Sequence, residues 1–157
     1  AEEKSMSEPK ALRLIRAVQA ALETIQGNGF YTEAGARVTR GRKRIGKDEA
    51  YPLLIIHEGE EEATKRVGDQ VHNRLNITIE GWCDADPLNP LDDAHLLLAD
   101  IKKAVFSKLE PRAHPGLFSN VGYLGRVIDP PEDGSRLCSV SVLLAIDWAE
   151  RLTDPMN

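Results

Sequence analysis

A chain of 157 residues with 41% apolar and 29% charged content has the size and balance to bury one core, which excludes a disordered or low-complexity protein. Its formal charge of -5 argues against a surface that binds nucleic acid all over, but leaves room for a local basic patch. Cys83 and Cys138 have no close spacing and read more readily as two buried thiols than as a disulfide framework. No run approaches the roughly 20 apolar residues of a membrane span, and the charged opening Ala1–Lys10 does not look like a secretory signal.

In chain order, residues 1–6 are expected to be a flexible tail. Ser7 is placed to cap a helix with Glu8 and Pro9 in its first turn. That helix is expected to run to about Gln26, with Leu14, Val18, Ala21, Leu22 and Ile25 on one face and Gly27 and Gly29 as the stop. Phe30–Arg40 reads as a strand bent at Gly35. Tyr51–His57 is an apolar run that fits a buried strand, and the polar stretch Glu58–Arg66 is expected to be a turn or loop. Val67–Trp82 alternates apolar and polar residues as a long strand does. Asn89, Pro90, Asp92 and Asp93 carry the signals of a helix start, and the helix they open continues to about Leu109. Val121–Ile128 is a further strand. Asp129–Ser135, with two prolines followed by Asp-Gly, is a turn.

The last strand is the most regular. Cys138, Val140, Val142, Leu144, Ile146 and Trp148 take every second position, and Ser139, Ser141, Leu143, Ala145 and Asp147 fall on the other face. Residues 153–157 follow as a tail. Strands run together here instead of alternating with helices. The expectation is therefore one α+β domain spanning 1–157, a mostly antiparallel sheet with two main helices packed on one face.

The most distinctive surface feature is a basic stretch formed by Arg37, Arg40, Arg42, Lys43, Arg44 and Lys47, bracketed by Gly41 and Gly46. Clustered Arg and Lys neutralise phosphates, and glycine lets a loop approach a backbone closely. A solvated loop between two strands accounts for the same residues. Only Tyr31 and Tyr51 flank the stretch, so any nucleic-acid contact is expected at phosphate and not at bases. Glu58, Glu60, Glu61 and Glu62 read as a solvated acidic run, with a hard-cation site and contact to the basic loop of a neighbouring copy as the functional alternatives. Trp82 and Trp148 end the two long strands, as core residues or as anchors of a subunit contact.

Catalytic and metal motifs are missing from the pattern. Asp84, Asp86, Asp92 and Asp93 lack the glycine and distal glutamate of a calcium loop, and the four histidines are scattered. There is no Walker loop, no G-x-S-x-G and no G-x-G-x-x-G. The expectation is a non-enzyme without metal or cofactor.

Taken together, several segments resemble the tail terminator, or minor tail, proteins of long-tailed bacteriophages. They are the leading helix ending near Ile25, ARVTRGR at Ala36–Arg42, YPLLII at Tyr51–Ile56 and IEGWCDAD at Ile79–Asp86. LLLADIKKAVF at Leu96–Phe106, PEDGS at Pro131–Ser135 and WAERLTDP at Trp148–Pro155 complete the set. The resemblance implies a small α+β subunit of a ring, commonly hexameric, that caps the tail tube, ends its polymerisation and meets the head-side connector. Its partners would be further copies of itself, the tube protein, the connector protein and DNA in transit, with no membrane. Its place would be the virion tail, after assembly in the host cytoplasm. Arg37, Arg40, Arg42, Lys43, Arg44 and Lys47 would then line the channel or touch the adjoining ring, and Trp82, Trp148, Glu60, Glu61 and Glu62 are candidate subunit contacts. Another neck or tail-completion component and a nucleic-acid backbone-binding module are the alternatives.

Overall fold

The computed structural model describes residues 8–42, 44–46 and 48–157. The expected cap at Ser7 and tail 1–6, together with Lys43 and Lys47 of the basic stretch, lie outside the described residues. The elements are α1 (Lys10–Glu23), β1 (Val38–Arg40), β2 (Leu53–Val67), β3 (Gln70–Asp84), α2 (Asp92–Lys108), β4 (Asn120–Asp129) and β5 (Leu137–Arg151). They form one five-stranded sheet in the order β1-β2-β3-β5-β4. β1 runs parallel to β2 and every other pair is antiparallel, so the α+β architecture has the mostly antiparallel sheet that the run of strands implies.

Both helices lie on one face. Leu54 and Ile56 of β2, Ile77 and Ile79 of β3, and Cys138, Val140, Val142, Leu144, Ile146 and Trp148 of β5 point into a core shared with Leu14, Val18 and Leu22 of α1 and Leu97, Ile101 and Val105 of α2. Helical and strand periodicities meet along one seam, which is why the alternating runs are long and the helical stripes wide. α2 comes close to the sheet at Gly81, where a Cβ would lie 2.8 Å from Leu97 Cδ2 and 3.0 Å from Val140 Cγ2. A missing side chain there lets α2 sit down on the sheet.

Several expectations change in three dimensions. Phe30–Arg40 is a strand only at Val38–Arg40. Its first part is held elsewhere by Asp100 of α2, a side chain 1% exposed. The Asp100 carboxylate accepts from the Tyr31 amide at 2.9 Å, the Thr32 amide at 2.7 Å and the Thr32 hydroxyl at 2.7 Å, and a short 3-10 turn follows at Ala34–Ala36. α2 begins at Asp92 and not at Pro90, because aspartates order the loop before it. Asp86 accepts from the Leu88 amide, and Asp93 accepts from the Asp86 amide. Residues after β5 are pinned: Asp69, at the β2–β3 turn, accepts from the Thr153 amide and hydroxyl, and the Lys10 amide donates to the Pro155 carbonyl.

The largest departure is Glu58–Arg66, which is strand and not loop. β2 continues through it to Val67 and turns back over Gly68 and Asp69, with Gly68 at φ +60°. The adjoining β3 is flanked by β5 along Gln70–Asp84, so it offers β2 a continuous ladder whatever the polarity of its side chains. Backbone pairing decides the strand here, and charged side chains on an edge do not oppose it.

Candidate functional site

The basic stretch runs from the start of β1 into the connection between β1 and β2. β1 and β2 are parallel, so the connection between them is a crossover and not a hairpin. The helices hold one face. Leu53 and Ile55 point to the other, beside Trp82 and Glu80 of β3, and are still only 2% and 1% exposed. Two arginines of the basic stretch serve the fold. Arg37 donates through Nε to the Pro52 carbonyl at 2.8 Å, and Arg42 donates through Nε to the Arg44 carbonyl at 2.9 Å and pairs with Glu49. Arg40 and Arg44 are exposed. The cationic surface among the described residues is thus smaller than the count of basic residues suggests, because guanidinium groups with five donors also serve to tie down loop carbonyls.

The acidic run lies on the same sheet edge, farther along. β1 covers β2 only from Leu54 to Ile56. Beyond it, Glu58–Val67 has no strand on its outer side among the described residues, and every residue of this stretch is exposed. Two bulges interrupt it, between Glu58 and Glu61 and between Ala63 and Lys65. Glu61 accepts from Trp148 Nε1 at 2.8 Å. Trp148 itself is 3% exposed, so its ring packs inside its own chain while the indole N–H reaches Glu61. Glu60 and Glu62 are exposed. Trp82 is half-buried on the face opposite the helices, with its Nε1 unpartnered among the described residues.

The opposite edge belongs to β4, and sequence patterning did not single it out. Phe106 of α2 and Tyr123 and Leu124 of β4 are 40%, 45% and 59% exposed and make an apolar flank, and Val127, 48% exposed, adds an apolar side chain on the other face of the same edge beside Ser141. Phe106 and Tyr123 meet edge to face with centroids 6.2 Å apart, and Lys102 Nζ stands 5.1 Å over the Tyr123 ring. β4 bulges between Tyr123 and Gly125 at exposed Leu124. The clue in the sequence is the weak alternation of Val121–Ile128, whose apolar residues are too many for a strand with one wet face.

Neither cysteine suits nucleophilic chemistry. Cys83 and Cys138 are opposite each other on β3 and β5, both free and buried. Burial, with the neighbouring Cys138 and nearby aspartates, pushes the Cys83 thiol up to about 12, so it stays protonated near neutrality. Among the described residues no group of three or more His, Cys, Asp or Glu side chains is placed to hold a metal ion, and no helix is long and apolar enough to cross a membrane.

No family model matches the chain, and no curated protein matches it. Among solved structures, a chain in the virion of a native gene transfer agent particle aligns with 85% of this chain and 96% of its own length, at 12% identity and a TM-score of 0.45. A similarity that low says nothing of what the chain does.

Proposed function

We propose that this protein is a structural subunit of a phage-type virion, a tail terminator that closes as a ring, ends tube growth and meets the head-side connector while DNA passes through. Two things support the reading. One is the set of segments from ARVTRGR to WAERLTDP that resemble that family. The other, which carries it, is the pair of open flanks on opposite sides of one sheet: an acidic edge at Glu58–Glu62 and an apolar flank at Phe106, Tyr123 and Leu124, with Val127 on the other face of the same edge, that also bears Lys102 and Arg126. Different and complementary surfaces on opposite sides make a head-to-tail contact, and repeated head-to-tail contacts close into rings when the rotation allows. An apolar flank of this kind is costly to leave in water without a partner. In this reading the protein performs no catalysis.

The test is light scattering and negative-stain microscopy of the purified chain, alone and with tail tubes. Closed rings, free or on tube ends, are the expected result, and Leu124→Glu should abolish them. No rings under either condition would overturn the reading. A nucleic-acid backbone-binding module is favoured by one observation, the exposure of Arg40 and Arg44 beside the crossover. In that case the monomer binds DNA with steep salt dependence, and Arg40→Glu with Arg44→Glu removes the binding.

A further inference from the structure

The outer edge of β2 is charge-palindromic. Reading outward from Ala63, Glu62 and Glu61 lie toward one end, and Lys65 and Arg66 toward the other. We infer that this edge pairs with the same edge of a second copy, antiparallel across a two-fold axis at Ala63, so that Glu62 faces the partner's lysine and Glu61 the partner's arginine on both sides of the axis.

Sheet geometry makes this a strict condition. Residues directly opposite in an antiparallel pair must point to the same face. In a regular strand Glu61 and Arg66 differ by an odd number of positions and would point to opposite faces. The bulge at Thr64 removes that mismatch. Against β3, Glu61 aligns with Leu75 and Arg66 with Val71, both buried on the helix-covered side. Glu62 aligns with Arg74 and Lys65 with His72, both exposed on the other side. A two-fold axis perpendicular to the sheet preserves the faces, so each carboxylate meets a cation on its own side. The small Ala63 sits on the axis against its own copy. The Thr64 hydroxyl donates to the His72 carbonyl at 3.2 Å, which fixes the bulge in place.

The remaining groups are compatible. Glu61 uses one oxygen for Trp148 and has the other for a partner. Arg66 donates through Nε to the Gly68 carbonyl at 2.9 Å, which leaves the terminal nitrogens of its guanidinium. β1 ends at Arg40 beside Ile56 and leaves Glu60–Val67 clear of any strand among the described residues. Charges and bulges on an edge discourage indiscriminate pairing. Here their order is satisfied by a copy of the same strand, so they select the partner as well as exclude others. The inference does not rest on the tail reading, although both use Glu61 and Glu62 of this edge. If a ring does use this edge, the pair is a closed form that must open before the ring assembles.

The experiment is sedimentation equilibrium of the whole chain at low and high salt. The wild type should show the mass of two chains at low salt and dissociate as salt screens the pairs. Lys65→Glu with Arg66→Glu makes the edge wholly acidic and leaves the Trp148–Glu61 bond alone; self-association should weaken at least about tenfold. Glu61→Lys with Glu62→Lys makes all four facing positions basic, with Glu58 and Glu60 left acidic beyond them, and should behave alike. Mixing the two variants should restore a dimer, now of unlike chains. A wild type that is monomeric throughout at low salt, variants that keep the wild-type mass, or a mixture that stays monomeric would each overturn the pairing. Rings formed alike by the wild type and the acidic-edge variant bear on the tail reading alone, so failure of the pairing and failure of that reading are read from different outcomes.

Discussion

The two halves of β2 make opposite arguments from one strand. Leu53, Leu54, Ile55 and Ile56 are buried on both faces, Leu54 and Ile56 in the core shared with the helices and Leu53 and Ile55 on the other side. Glu58–Val67 is exposed at every position. Both halves pair with the same neighbour, β3, in one antiparallel ladder. Pairing alone therefore makes the strand, and covering decides whether its side chains contribute to stability. The covered half is foundation and the bare half is surface available for contact.

That contrast is sharpest in substitution. Ile79, opposite Ile56 and fully buried, should cost about 2–5 kcal/mol when replaced by alanine, through lost transfer energy and the cavity left behind. Glu62→Ala on the bare half should stay within about 0.5 kcal/mol. Urea unfolding of both variants checks the pair, and equal effects would erase the distinction between the halves. A smaller loss is expected at Asp100, whose carboxylate holds Tyr31 and Thr32 beside α2. Asp100→Ala leaves those donors without it and should cost about 2–3 kcal/mol by the same measurement, with faster amide exchange at Tyr31 and Thr32.

The smallest effect concerns the tip of the bare half. The two hydrogen bonds from Thr153 hold the Asp69 carboxyl below its ordinary range. A depressed carboxylate contributes stability that is fully present above the unfolded value, near 3.9, and is lost as pH falls through the lower folded value. The stability difference between wild type and Asp69→Asn should therefore be constant at neutral pH and shrink only on acidification past that point. A difference that changes between pH 6 and 8 would assign it to another group.

Much of the covered region was legible in the sequence. The period of two in Cys138–Trp148 and the stripe of Leu14, Val18 and Leu22 are set by burial on one face, and burial writes itself into residue type. Glu58–Arg66 was illegible for the converse reason: an edge strand needs no apolar residues, so its side chains look like a loop. The basic stretch was visible as charge. Its partition into arginines that tie down Pro52 and Arg44 carbonyls and arginines that face solvent was not, because that depends on which carbonyls the fold leaves nearby. The β4 flank escaped notice because exposed and buried apolar residues look the same in one dimension.

By itself the sequence determined the class of fold, the two helices and the faces that they, β3 and β5 bury, since each follows from local periodicity and composition. Tertiary structure alone decided which strand edges stay open, that β1 enters parallel with a crossover, and that a bulge at Thr64 aligns Glu61 with Arg66 on one face. Those features depend on backbone groups finding partners far along the chain, and every residue carries the same backbone donor and acceptor, so side-chain identity cannot encode them directly.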